Sequence, residues 1–86
     1  MPELCRFYGI IIKMYYNDHS PPHFHAEYGG DEIVVNIDTL AIIAGGLAPR
    51  ATGLLMEWAA QHQAELHIAW DQARNMVPLD KIDPLP

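Results

Sequence analysis

The feature that most limits the fold of this chain is a pair of glycines, Gly29 and Gly30, between two stretches in which apolar residues alternate. Two glycines accept the positive φ angles of a tight two-residue hairpin loop. The sequence therefore predicts an antiparallel hairpin between strands 23–28 and 32–38. The predicted cross-strand pairs are Ala26 with Ile33, Phe24 with Val35, Glu27 with Glu32, and His23 with Asn36.

Further strands are predicted on both sides of this hairpin. The run from Arg6 to Tyr16 is rich in β-branched and aromatic residues and has no helical stripe, so we expect one central strand there. A short strand at Leu40–Ala44 is expected to end at Gly45-Gly46. The N-terminal half, residues 1–46, is thus expected to form a sheet of three or four mostly antiparallel strands.

The second half of the chain predicts a long amphipathic helix over residues 49–75, with Pro49 at its first position and Asn75 as its stop. At 1.5 Å per residue it would be about 40 Å long, so a break between Gln61 and Gln63 stays open. Residues 77–86 are expected to form an extended tail along this domain or along a partner's sheet edge. The predicted fold is a single α+β domain with one sheet face covered by the helix.

Composition limits the classes of function and the cellular location that the chain can have. The 86 residues carry a net charge of −6, which argues against direct nucleic-acid binding because phosphate contacts need basic residues. The only cysteine, Cys5, has no intramolecular partner, and no apolar run is long enough to span a bilayer. The start of the sequence does not resemble a secretion signal. We therefore expect a cytoplasmic protein with no membrane association.

Candidate chemistry is concentrated in one segment, in which three of the five histidines, His19, His23 and His25, fall within seven residues. Alternation along a strand puts Phe24, Ala26 and Tyr28 on one face and His23, His25 and Glu27 on the other. The strand therefore predicts two imidazoles and a carboxylate that turn outward together, with Asp18 and His19 brought near by the preceding loop.

Three interpretations of this histidine segment remain open. His19, His23 and His25 could hold zinc or another divalent metal, with an oxygen ligand from Glu27 or Asp18; no other cofactor is expected. His23, His25 and Glu27 could instead be catalytic as acid and base, as in a small ribonuclease, with Lys13, Arg6 or Arg50 binding phosphate. In the third interpretation the histidines satisfy backbone groups around Pro21-Pro22 and present a polar face to a partner.

Motifs are spread along nearly the whole chain, with Asp-His-x-Pro-Pro-His-Phe-His-Ala-Glu-Tyr at residues 18–28 as their core. The segments that carry them are residues 6–10, 14–19, 21–28, 47, 49–51, 78–79 and 81–85. Together they resemble a bacterial domain-of-unknown-function family of short proteins. The resemblance implies that the gene lies beside one for a second small protein, in an arrangement like a toxin–antitoxin pair, and it implies no catalytic residues.

These observations predict a small cytoplasmic protein-interaction module, one component of a toxin–antitoxin-like pair. The expected partner is a small protein encoded nearby, bound through the histidine-bearing sheet face and the tail, and a homodimer is the second possibility. The alternative function is a small hydrolase or ribonuclease-type toxin that uses His23, His25 and Glu27, with or without a divalent metal.

Overall fold

A computed structural model of the chain describes residues 3–86. The fold is α+β, as the sequence predicts, with an antiparallel sheet followed by helices. The sheet has five strands in the order of the chain, where three or four were predicted, and the helical segment forms two helices, where one helix was predicted with a break left open. The elements are β1 Glu3–Phe7, β2 Ile10–Lys13, β3 His23–Tyr28, β4 Asp31–Asn36, β5 Ile42–Gly45, α1 Pro49–Gln61 and α2 Gln63–Arg74.

The extra strand arises because the predicted central strand is a hairpin. Tyr8 and Gly9 form a two-residue turn with φ angles of 49° and 81°, and Phe7 pairs with Ile10 across it. Positive φ at both loop residues is the geometry that matches the twist of a tight hairpin. Tyr8 therefore lies at a turn and is 57% exposed, whereas Ile10 and Ile12 are fully buried.

The hairpin of β3 and β4 has the predicted register. Ala26 pairs with Ile33, and Glu27 pairs with Glu32, so Gly29 and Gly30 are the whole loop. Both glycines have positive φ, 57° and 89°, in open space where no side chain is nearby. Phe24 is fully buried on the helix side of this pair. The predicted cross-strand pairs are therefore confirmed.

The predicted single helix is broken at His62, where φ is −126° and ψ is 22°. The longest dimension of the molecule is 34 Å, so a straight helix of about 40 Å would extend beyond the sheet. Two shorter helices keep their apolar faces on it. Pro49 and Asn75 mark the helical ends as expected. The buried residues are Ala51, Leu55, Trp58 and Ala59 on α1, and Leu66, Ala69, Trp70 and Ala73 on α2.

The two edges of the sheet differ. Along β1, the C-terminal tail forms a backbone hydrogen bond of 3.1 Å from Ile82 to Leu4, and the indole of Trp58 donates to the Asp83 carbonyl at 2.8 Å. The tail buries Ile82 and Leu85, so it lies along its own domain. Within residues 3–86, β5 pairs with β4 only, and all four of its residues are exposed.

No helix within the described residues is long and apolar enough to cross a membrane.

Candidate functional site

The candidate site lies where the loop between β2 and β3 folds over the beginning of β3. This loop is fixed to the end of α2 by a backbone hydrogen bond from Asn17 to Ala73 of 3.3 Å and by a contact of 3.5 Å between Arg74 and Ser20. It brings the Asp18 carboxylate over the first residues of β3. The site is therefore built from a loop, a strand and the last turns of a helix.

His23 has both ring nitrogens engaged. Nδ1 lies 2.7 Å from the carbonyl oxygen of Pro21, and Nε2 lies 2.9 Å from Oδ2 of Asp18. The ring is 5.1 Å from the indole ring of Trp70 on α2, and the whole residue is only 9% exposed. The backbone carbonyl, the carboxylate and the indole together hold the imidazole in one orientation.

These contacts restrict the protonation of the His23 ring. The Pro21 carbonyl and the Asp18 carboxylate can both only accept hydrogen bonds. A neutral ring has one N–H, so it donates either from Nδ1 to Pro21 or from Nε2 to Asp18. In the tautomer with the hydrogen on Nδ1, the Nε2 lone pair faces Asp18 Oδ2, and a cation between these two atoms would make the contact favourable.

His25 lies on the other side of the same carboxylate. Its Nε2 is 3.4 Å from Oδ2 of Asp18, and its ring centre is 5.2 Å from that of His23. Tyr15 contacts the His25 ring edge-on at 4.5 Å between centroids. Nδ1 of His25 is buried without a hydrogen-bond partner among the described residues, although Oε2 of Glu32 lies 3.5 Å away.

Asp18 is the shared acceptor of the cluster. Burial raises the pKa of this carboxyl, but hydrogen bonds from the His19 backbone N–H and from the His23 ring outweigh burial, so the pKa lies below its ordinary value. Oδ1 accepts the His19 N–H at 2.8 Å, which leaves Oδ2 for the two imidazoles. The carboxylate is thus ionised and fixed in position.

The ligand atoms of Asp18, His23 and His25 lie within 4.8 Å of one another. Around a tetrahedral zinc ion with bonds of 2.0–2.2 Å, ligand atoms are separated by roughly 3.3–3.5 Å. The distance from Oδ2 to Nε2 of His25, 3.4 Å, lies within that range, and the distance to Nε2 of His23, 2.9 Å, is shorter. Side-chain movements that adjust these separations would let the three groups share one ion and leave a fourth position open.

The other two predicted site residues lie outside the cluster. His19 contributes its backbone N–H to Asp18, and its ring is not among the grouped ligand atoms. Glu27 is on the same sheet face as His25, but its carboxylate binds Nζ of Lys13 at 2.7 Å. Asp18, which the sequence offered only as an alternative oxygen ligand, takes the place predicted for Glu27.

The cations predicted to bind phosphate have other surroundings. Lys13 lies across the ladder from His25, but its ammonium group is paired with Glu27, and Arg6 is paired with Glu3 at 2.6 Å. Arg50 lines a shallow surface pocket with Tyr8 and Tyr28 at the other end of the sheet. The basic residue that contacts the site loop is Arg74, which the sequence did not single out because it lies 54 positions after Ser20.

The histidine rings are less accessible than expected. They lie opposite Phe24 and Ala26, as alternation predicts, but the side chains of His23 and His25 are only 11% and 15% exposed. The rings are on the predicted side of β3, and the loop with Asp18 lies over them, so they are less accessible than a sheet face open to solvent. The signal missed in the sequence was Trp70, which was assigned to the core and also forms a wall of the site.

No curated protein and no solved structure matches the chain. Residues 9–71 match the family described as a domain of unknown function, DUF4160. The matched segment runs from the β1–β2 turn into α2, and it contains Asp18, His23, His25 and Trp70. Since the matched segment includes 63 of the 86 residues, the chain belongs to the DUF4160 family.

Proposed function

We propose that this protein binds one divalent metal ion, with zinc as the best fit, through Asp18, His23 and His25. Two imidazoles and one carboxylate are a donor set that zinc accepts, and three protein ligands with an open position are typical of catalytic zinc sites. All three side chains are partly or largely buried, so the ligands are already ordered by their surroundings.

The observation that carries this proposal is the pair of contacts made by His23. Its Nδ1 lies 2.7 Å from the Pro21 carbonyl, and its Nε2 faces Asp18 Oδ2 at 2.9 Å. A metal-binding histidine usually donates its second ring N–H to a carbonyl or carboxylate, which fixes the tautomer and directs the other nitrogen at the ion. The Pro21 carbonyl is placed to accept this N–H from Nδ1, and Nε2 would then direct its lone pair at an ion shared with Asp18.

Such a site would support the hydrolase alternative. A divalent ion with an open position lowers the pKa of bound water to near neutrality. In that function Asp18, His23 and His25 hold the ion, and Arg74, which contacts the loop at Ser20, is a candidate to bind a substrate phosphate. Glu27 is less suited to act as base because Lys13 already binds its carboxylate.

The test is a zinc titration of the tag-free chain after EDTA treatment and removal of the chelator, with a chromophoric chelator as competitor. We expect one zinc per chain. Asp18→Asn keeps the size of the side chain and removes its charge, so it should weaken zinc binding by more than about 100-fold. Absorption of bound cobalt in the visible range would report a tetrahedral site.

The matched control is Asp38→Asn. Asp38 also binds a histidine, because its Oδ1 lies 2.7 Å from Nε2 of His67, but this pair is far more exposed. Asp38→Asn should leave zinc affinity within about 2-fold of the original chain, since exposed ion pairs contribute little. The absence of stoichiometric zinc from the original chain, or an equal loss in both variants, would reject the metal function.

A ribonuclease assay addresses the enzymatic alternative. The chain is incubated with a mixture of RNA substrates with and without EDTA, beside His25→Ala. Cleavage that requires metal and is lost in His25→Ala would support a metal-dependent nuclease. Cleavage that survives EDTA but is lost in His25→Ala would favour the acid–base mechanism instead, and no cleavage by the original chain would reject both.

The second candidate function is the protein-interaction module of a toxin–antitoxin-like pair. The two histidine rings are largely buried, so this function is better supported by strand β5, whose outer edge is exposed. Co-expression with the product of the neighbouring gene tests it. A complex that survives gel filtration and is lost in Ile43→Lys would support the module, whereas two separate peaks would reject that partner.

A further inference from the structure

Strand β5 is an exposed edge of unusual composition. Ile42 is 51% exposed and Ile43 is 47% exposed, and no strand within residues 3–86 pairs with the outer side of β5. Between Asp38 and Arg50 the sequence contains eleven residues without a single charge. Edge strands are usually protected by charged side chains, proline, irregularities or a covering segment.

The opposite edge of the same sheet has such protection. The tail binds the backbone of β1 through Ile82, and Lys81 donates to the carbonyl of Glu3 at 2.8 Å. On β5 the protective features among the described residues are its length of four residues and an irregularity at Ile43, where the register with β4 shifts by one residue. The contrast points to β5 as the side of the sheet that a partner uses.

We propose that β5 pairs with β5 of a second copy of this chain, in antiparallel orientation about a two-fold axis, so that the two five-stranded sheets become continuous. This inference rests on the interaction function proposed above, and it names the partner that binds the β5 edge as a second copy of the chain. A two-fold contact brings the same patch of each copy together, so the patch must be complementary to itself.

The distribution of charge makes the β5 edge the place where two copies can meet. Each chain has a net charge of −6, which opposes association wherever charged surfaces face each other. The uncharged stretch 39–49 keeps like charges away from the contact. Its flanks have opposite charges, Asp38 before it and Arg50 after it, and antiparallel pairing brings the acidic end of one copy toward the basic end of the other.

The size of the edge predicts a weak dimer. Stable interfaces bury about 1,200–2,000 Å² in total, and smaller contacts are typical of transient complexes. A four-residue strand with two half-exposed isoleucines lies at the lower end of that scale. We expect a dissociation constant on the order of 10–100 μM, so the dimer should appear as concentration rises.

Sedimentation velocity of the full chain from about 1 to 500 μM tests the proposal. The original chain should shift from monomer toward dimer, and Ile43→Lys should remain monomeric because a charge in the pair opposes association. Ile68→Lys is the matched control, since Ile68 on α2 is 55% exposed and the charge change is the same. Circular dichroism of both variants checks their folding.

Cross-linking locates the contact independently. In a Cys5→Ser background, Ile43→Cys should form covalent dimers with a short bifunctional maleimide, and Ile68→Cys should form few. Monomers at every concentration, equal cross-linking at both positions, or equal loss of the dimer in both lysine variants would overturn the proposal. If the chain stays monomeric but binds its neighbour's product through Ile43, the interaction function survives and the second copy is rejected.

Discussion

The carboxylate of Glu32 lies 3.5 Å from Nδ1 of His25, the one buried side-chain nitrogen or oxygen among the described residues that has no hydrogen-bond partner. If Nε2 of His25 binds a metal ion through its lone pair, the ring hydrogen must be on Nδ1, where Glu32 can accept it. This is the arrangement in which a carboxylate orients a metal-binding histidine.

We therefore predict that Glu32→Gln weakens zinc binding by about 10-fold, since loss of an orienting partner costs 10- to 100-fold in affinity. Competitive zinc titration measures the change. The control is Glu27→Gln, which removes the same charge from the residue directly across the ladder, where the carboxylate binds Lys13 instead. Equal losses in both variants would indicate a general charge effect rather than orientation of His25.

The pair Gly45 and Gly46 should respond differently to alanine. At Gly45 the φ angle is 70°, and an added Cβ would lie 2.1 Å from the carbonyl oxygen of Glu32. We expect Gly45→Ala to lower the free energy of unfolding by about 3 kcal/mol, because backbone strain and a backbone clash add. At Gly46 no atom lies within 4 Å of an added Cβ.

Gly46→Ala should therefore change the free energy of unfolding by less than about 1 kcal/mol, and it could raise stability by restricting the unfolded chain. Urea denaturation followed by circular dichroism measures both variants. Similar values for the two would mean that the approach of β5 to Glu32 does not limit side-chain size at position 45.

Trp58 is expected to couple the tail to the helices. Its indole is fully buried and donates to the Asp83 carbonyl at 2.8 Å. Trp58→Phe removes this hydrogen bond and part of the ring, so we expect a loss of about 2–3 kcal/mol in the free energy of unfolding. Tyr8→Phe removes a tail contact to Pro86 at an exposed position, and should cost less than about 0.5 kcal/mol.

Cys5 should be a protected thiol. Burial raises its pKa to about 12, and the residue is 8% exposed next to Leu4, where the tail is bound. At pH 8 we expect alkylation by iodoacetamide to be slower than in the urea-unfolded chain by about 1,000-fold, because only the thiolate reacts. Native and unfolded chains with comparable rates would show that the tail leaves Cys5 accessible.

Much of the sheet could be predicted because the alternation of apolar residues and the conformational preferences of loop residues depend on nearby sequence. The register of β3 and β4 follows from Gly29-Gly30 together with the apolar set of Phe24 and Ala26. The β1–β2 turn was missed because Tyr8 is a strand-forming residue by composition, yet here it adopts a positive φ angle. The positive φ angle of Tyr8 results from the pairing of β1 with β2 on either side of it, and the local sequence does not reveal that pairing.

The candidate site was predictable only in part. Strand parity identified His23 and His25 as neighbours on one side of β3, and both lie there. Strand parity also predicted Glu27 as a member of this group. Side chains two residues apart on a strand can still turn to different partners, and the Glu27 carboxylate binds Lys13 instead. The roles of Asp18 and Trp70 depend on how a loop and a helix fold onto β3, which requires tertiary structure.

The contact of Trp70 with His23 has a practical consequence. Indole emission responds to groups within a few ångströms of the ring, and the two ring centres are 5.1 Å apart. Occupation of Nε2 would thus change the intrinsic fluorescence of the unlabelled chain. The second indole, Trp58, lies 5.3 Å from the ring of His62 instead, so the indole emission remaining in Trp58→Phe comes from Trp70, beside His23.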